Sequence, residues 1–399
     1  MLNINNFYNT ADIKRFYFPG KIFMGVDSRN ILFQLLGSES KVILVCDIFF
    51  SNDPFTNEII KKFPVDKLKF LIVGSEPDTR MVGEYISELK YFEYDVIIAI
   101  GGGSTIDTAK ALLAYKIYNK YYKIGYGENR DLREISFGNK PVFAAMPTTA
   151  GTGSETSRYY LISDNETKEK TVSRSWSVVP EYVILDPYFL QNASKKLLAL
   201  TAFDAFVHLW ETFICKYERS EYGDMLSLTG MSKIIPGIHK IVNGLDIDLK
   251  LLMDLQFAAC LGGIAIANVR TGLMHDAGEA LSAQISLSHP ETLVVFFREA
   301  FNLVKEAIEG TQNYLFEQAT FVKYGIKSID DLINFWTDVF DYLNITRDLK
   351  NKLKCNFVSN EKIVEKIYQD KVLIEKESPL KLSKEDLEYF VEKSIKYFI

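Results

Sequence analysis

The chain has 399 residues but only four histidines and four cysteines. The cysteines, Cys46, Cys215, Cys260 and Cys355, show no CxxC spacing. That excludes a zinc knuckle and a disulfide framework, and a reduced, cytoplasmic setting is expected. Basic excess is also absent: 46 Lys and Arg stand against 52 Asp and Glu, a net charge of −6. No nucleic-acid partner is expected from such a balance. The apolar stretch from Phe257 to Val269 contains Asn268 and is too short to span a bilayer, so no membrane partner is expected. Residues 1–16, MLNINNFYNTADIKRF, lack a charged start followed by an apolar core, so no secretory signal is expected. Hydrophobic residues at 47% and charged residues at 25% give the ordinary globular balance and exclude disorder as the main state. The length suggests about two to three domains.

What is present divides into two rhythms. Up to Pro187, short apolar runs alternate with helical spacing: 41–47 (KVILVCD), 68–74, 94–100, 141–146 and 182–186, with helices expected over 79–91 and 105–118. Nearly continuous apolar runs imply strands buried on both faces, hence a parallel sheet covered by helices. From about Ser194 onward helical periodicity dominates, over 197–216, 222–243, 248–267, 272–285, 291–308, 328–343 and 384–397. The expected fold class is therefore a doubly wound α/β domain over 1–190 followed by an all-α domain over 191–399.

Three motifs carry chemistry. IGGGSTIDTAK (100–110) follows an expected buried strand. Its glycines allow backbone N–H groups to approach an anion, with Ser104 read as an N-cap and Asp107 as its capping-box partner. A pyrophosphate suits such a helix start, although Ile106 breaks the GxGxxG fingerprint and a ligand-free turn reads equally well from this motif alone. PTTAGTGSETS (147–157) follows another strand and offers Thr148, Thr149, Thr152, Ser154 and Ser157 hydroxyls beside glycines. Two such loops at strand ends suggest a crevice at a topological switch point. The third motif uses the rare histidines. Asp204 and His208 lie four apart on one helical face, and His275 is followed by Glu279 four later and by His289. Singly, each histidine is more often a core or surface residue. Together, Asp204, His208, His275 and His289 make a four-ligand set for a divalent metal. His239 has no such neighbour.

With these residues in view, the sequence resembles the iron-containing (group III) alcohol dehydrogenase family. The likeness covers GGGSTIDTAK, PTTAGTGSE, the ILDP turn at 184–187, the Asp204/His208 pair and the His275–His289 spacing. It implies a dinucleotide-binding α/β domain, a helical domain and an active site in the cleft between them, the fold shared with dehydroquinate synthase-like enzymes. It also implies that Asp204, His208, His275 and His289 hold Fe²⁺ or Zn²⁺, and that Gly102, Gly103, Ser104 and Asp107 form the pyrophosphate loop. Thr148, Thr149, Thr152, Ser157 and Lys170 fall where the family contacts its cofactor. Asp47, ending a strand, would accept from ribose hydroxyls and repel a 2′-phosphate, so NAD(H) is expected over NADP(H). The substrate would be a small aldehyde or alcohol, and a homodimer is expected.

The chain departs from the family at Glu279, where a histidine often stands, at Pro290, where glycine usually follows the last ligand, and at Glu76, which many members replace with Asn. Glu279 would act in proton transfer, contact the metal or bond a neighbouring helix. Arg270–Thr271, five and four residues before His275, resembles the phosphonoacetaldehyde reductase branch. Arg270 would there hold a phosphonate, phosphate or carboxylate, with Arg158 a further basic residue; alternatively it pairs with Asp276 or Glu279. Two other readings remain: a sugar-phosphate cyclase or dehydroquinate synthase-like lyase, and an inactive nucleotide- or metal-binding protein.

Overall fold

The apolar runs in the first half are strands. The computed structural model describes residues 16–18, 20–37, 39–124, 140–167, 169–215, 219–369 and 381–399. The signal-peptide reading over 1–16 therefore lies almost wholly outside the described residues. Six parallel strands form one sheet: β1 (Lys21–Met24), β2 (Val42–Asp47), β3 (Leu68–Val73), β4 (Val96–Gly101), β5 (Val142–Pro147) and, at the end of the unit, β8 (Tyr182–Leu185). Between β5 and β8 lie β6 (Tyr159–Ser163) and β7 (Lys170–Arg174), an antiparallel pair outside that sheet.

The sheet order is β1-β8-β5-β4-β2-β3. Alternate residues of one strand feed opposite sides, which is why the runs read as continuously apolar. Ile97 and Ala99 of β4 join Val45, Leu112 and Phe143 in one core. Ile98 and Ile100 join Leu44, Phe55, Met146 and Phe189 in the other. Helices α1 (Leu32–Leu35), α2 (Pro54–Lys62), α3 (Thr79–Glu88) and α4 (Gly103–Tyr118) belong to this unit. Strand β2 leads to β3 on one side while β4 leads to β5 on the other. The chain direction thus switches between β2 and β4, the place where open α/β sheets bind ligands at strand C-termini.

By contact, this α/β unit comprises residues 18–192 and 249–263, and the helical unit comprises residues 193–248 and 264–399 with the segment ending at Tyr17. The helices that follow β8 are α5 (Lys195–Ile214), α6 (Glu221–Val242), α7 (Leu249–Val269), α8 (Leu273–Ser282), α9 (His289–Val304), α10 (Glu309–Gln318), α11 (Ile329–Tyr342), α12 (Ile345–Lys354) and α13 (Asn360–Gln369), then the helix Lys384–Lys396. Ser194 caps α5 by accepting from the Leu197 N–H at 3.1 Å. Helix α5 is apolar nearly all round and buried, as a core helix must be. Its Phe203, Phe206 and Trp210 pack with Phe297, Phe301 and Trp336. Helices α5 and α7 are long and apolar enough to cross a membrane, yet 89% and 72% of their apolar windows are buried inside the protein.

Candidate active site

Aromatic packing on one side of α5 fixes which residues face the other way. Asp204, His208 and Glu211 follow at i, i+4 and i+7, one stripe of the helix. His275 sits in the first turn of α8 and His289 is the first residue of α9. The structure brings Asp204, His208, His275 and His289 together, with one ligand atom from each inside a 4.8 Å span. Asp204 Oδ1 lies 3.7 Å from His208 Nε2, 3.8 Å from His275 Nε2 and 3.4 Å from His289 Nε2. The rings of His208 and His275 stack at 4.6 Å. His239 lies elsewhere, with its ring 5.1 Å from that of Tyr324.

These distances are too long for hydrogen bonds. They suit ligands around one cation, because donors about 2.1 Å from a tetrahedral metal sit about 3.4 Å apart. Both Asp204 carboxylate oxygens and His275 Nε2 are buried and make no hydrogen bond among the described residues. A buried carboxylate left that way is costly, and a cation satisfies it. Burial alone would raise the Asp204 pKa, but His208, His289 and His275 outweigh it and hold it at about 2. For His275, burial lowers the pKa, and Glu211 and Asp204 more than reverse that, holding the metal-free imidazole well above its ordinary value. The donor set therefore fits a divalent metal.

Sequence reading missed Glu211. Its carboxylate accepts the Gly272 and Met274 N–H groups, each at 2.7 Å, and lies 2.6 Å from His275 Nδ1. Its only signal in the sequence is the spacing Asp204, His208, Glu211. His289 owes its place to a helix start: the Glu291 carboxylate accepts the Ser288 N–H and hydroxyl, each at 3.0 Å. Pro290 fits there because a first-turn residue needs no N–H partner. Arg270 follows α7 at φ 75°, a left-handed conformation costly for any residue with a Cβ. Glu279 lies one turn beyond His275 on α8 and is partly exposed.

In the α/β unit, the two glycine loops meet. A Cβ on Gly102 would lie 3.2 Å from Thr149, and one on Gly103 would lie 2.8 Å from Thr152, so the second loop requires glycine in the first. Gly153 has φ +60°, and a Cβ there would strike Gly263 of α7 at 2.5 Å. Helix α4 starts at Gly103, with Gly102 as an N-cap that offers no side chain. This corrects the capping-box reading of Ser104 and Asp107: the helix starts two residues earlier than that pattern implies, because glycine itself takes the cap. The uncapped N-terminus stands beside the switch between β2 and β4, where backbone N–H groups can take a phosphate.

Asp107 instead turns inward, accepting from Ser154 Oγ at 2.5 Å and from the Leu161 N–H at 2.9 Å. Lys110, also missed, is fully buried. It donates to Ser154 Oγ at 3.0 Å, the Ser157 carbonyl at 2.9 Å and the Tyr159 carbonyl at 2.6 Å. Burial brings its pKa down to about 8 against the pull of Asp107 and Glu155. Ser157, expected at the cofactor, is buried within this network. Thr148 is buried and donates its N–H to the Gly101 carbonyl, while Thr149 and Thr152 are partly exposed. Asp47 ends β2, half-buried, with one oxygen accepting from the Phe49 N–H at 2.9 Å. Lys170 pairs with Glu76 at 2.8 Å, joining two positions singled out in the sequence. Arg158 is buried, its guanidinium over the Trp176 and Tyr159 rings.

Comparison with known proteins agrees with this geometry. The family model "Iron-containing alcohol dehydrogenase" matches residues 19–187, and "Fe-containing alcohol dehydrogenase family, C-terminal" matches residues 198–393. Aldehyde-alcohol dehydrogenase 2 of Entamoeba histolytica is 29% identical over 310 residues, covering 72% of this chain and 35% of that protein. The chain spans about a third of the length of the aldehyde-alcohol dehydrogenases it matches. The NADPH-dependent butanol dehydrogenase of Clostridium saccharobutylicum is 27% identical over 279 residues, covering 69% of this chain and 70% of that one. Among solved structures, a 1,3-propanediol oxidoreductase superposes with TM-score 0.78 at 21% identity, covering 96% of this chain and all of that one, and shares the fold. The two family matches together take in both units, and the chain belongs to the iron-containing alcohol dehydrogenase family of oxidoreductases.

Proposed function

We propose that the chain is a metal-dependent, nicotinamide-linked alcohol dehydrogenase working as an aldehyde reductase. The observation that carries this reading is the buried set of Asp204, His208, His275 and His289. Fe²⁺ or Zn²⁺ held by these four side chains supplies Lewis-acid polarisation of a substrate oxygen, and a bound nicotinamide supplies the hydride. The surrounding imidazoles hold the Asp204 carboxyl below its ordinary pKa, which favours cation capture. The Gly102–Gly103–Ser104 start of α4 takes the pyrophosphate, with Thr149 and Thr152 beside it. Asp47 accepts from the adenosine ribose and repels a 2′-phosphate, which favours NAD(H). Glu279, one turn along α8 from His275, is the side chain assigned to proton transfer.

Arg270 supports a narrower substrate class by its place five residues before His275. Its positive φ closes the end of α7, where its N–H reaches the Ile266 carbonyl. Its role is to hold the anionic tail of a small aldehyde, a phosphonate, phosphate or carboxylate, as phosphonoacetaldehyde carries. Arg158, the further basic candidate, is buried with its guanidinium over the Trp176 and Tyr159 rings. The working unit is a homodimer. The test follows NADH loss with neutral and anionic aldehydes on metal-loaded protein. Arg270→Ala is expected to raise KM about tenfold or more for the anionic aldehydes alone. An equal loss with both classes would remove Arg270 as a clamp.

A further inference from the structure

We infer that Glu211 is a positioning residue of the metal centre, orienting His275 and fixing which of its ring nitrogens faces the cluster. The inference rests on the proposed metal role of the four ligands. Three groups converge on one buried carboxylate: His275 Nδ1 at 2.6 Å, and the N–H groups of Gly272 and Met274 at 2.7 Å. Both Glu211 oxygens already accept main-chain N–H groups, so the short Nδ1 contact places the imidazole as donor at Nδ1 and leaves Nε2 with its lone pair. His275 Nε2 is the nitrogen that faces Asp204, at 3.8 Å. The two backbone contacts hold the start of α8 against α5. Ring direction and ring height are therefore set by the same side chain.

Gly272 is part of the device. A Cβ at this position would lie 3.2 Å from both Glu211 Cδ and Oε1, inside ordinary contact distance. A side chain there would require the carboxylate to give way by a few tenths of an ångström. Helix α5 thus supplies two ligands, Asp204 and His208, and the holder of a third. Carboxylates behind metal-bound imidazoles sharpen affinity by pre-orienting the ring and raising its basicity.

The experiment titrates Zn²⁺ and Co²⁺ into metal-free wild type and Glu211→Gln, with a competing chelator, and records the Co²⁺ visible spectrum. The glutamine can accept from His275 but loses a backbone contact and the charge. Its metal affinity is expected to fall about 10- to 100-fold, with altered Co²⁺ bands. Unchanged affinity and spectrum in a variant that folds would overturn the positioning role while leaving the metal site intact. Absence of metal binding by wild type would instead overturn the proposed function. Should Glu211→Gln fail to fold, histidine-selective ¹⁵N spectra of the Zn²⁺-loaded wild type decide the matter, since only four histidines contribute. His275 protonated at Nδ1 is expected; protonation at Nε2 would overturn the inference.

Discussion

Lys110 and Arg270 each spend stability at a single position, in opposite ways. Lys110 is buried and its ammonium satisfies Ser154, Ser157 and Tyr159. Lys110→Met removes the ammonium from the Ser157 carbonyl and from the Tyr159 carbonyl, which still accepts from Ser157 Oγ, and should cost about 3 kcal/mol in denaturant unfolding. The loop at 147–157 would loosen with it, so NADH affinity should fall as well. At Arg270 the backbone is the cost. Arg270→Gly should be more stable than Arg270→Ala by about 1 kcal/mol, because both lose the guanidinium and only glycine accepts the left-handed φ freely. Equal melting temperatures for the two would show that the position is unstrained in solution. Residue chemistry was the part of the site best read from sequence. The candidate ligands Asp204, His208, His275 and His289 stand out in a histidine-poor chain by their combination, not singly. Glu211 and Lys110 did not, because a lone acidic or basic residue looks like solvated surface until burial is known.

At the scale of elements, helix starts place the chemistry. The Glu291 carboxylate grips Ser288 and receives Lys352 Nζ at 2.8 Å, which anchors the α9 turn that carries His289. Burial would raise the Glu291 pKa, but Lys352 and Ser288 outweigh it and hold it below the ordinary value. A depressed carboxylate stabilises above its unfolded pKa and loses that contribution as pH falls through the folded one. Glu291→Gln should therefore melt lower than wild type at neutral pH, by an amount equivalent to about 1 kcal/mol, with the gap closing on acidification below the ordinary glutamate pKa. A gap independent of pH would assign the effect to packing. Strands β2, β3, β4, β5 and β8 were legible as apolar runs, each within two residues of the observed ends, although β3, at the sheet edge, is buried only at Leu71 and Val73. Strand β1 is four residues long and the β6–β7 pair mixes Tyr, Ser, Lys and Thr, so neither offers a run to read. The S-x-x-D pattern at Ser104 misled because a glycine N-cap leaves no side-chain signature.

For the whole molecule, the proposed metal site would link metal, proton and stability. Without metal, His275 holds a proton far above its ordinary pKa, next to Glu211 and Asp204. A raised histidine pKa stabilises fully below the unfolded value and less as pH rises through the folded one. Metal needs the same nitrogen deprotonated, so its binding releases a proton and strengthens with pH. The melting-temperature gap between metal-loaded and metal-free protein should therefore widen from mildly acid to mildly alkaline pH. A gap that narrows over that range would place the metal elsewhere. The two-part architecture was legible from the change of periodicity after Pro187. The inclusion of residues 249–263 in the α/β unit was not, since one helix carries one unbroken pattern across that division.

The most direct test of the central claim is aldehyde-dependent NADH oxidation by purified protein, before and after stripping with a chelator and reloading with Fe²⁺ or Zn²⁺. Turnover should vanish on stripping and return on reloading in wild type, and should not return in Asp204→Ala, which lacks the carboxylate the three imidazoles surround. Turnover that survives stripping, or none with any aldehyde on the loaded protein, would contradict the account.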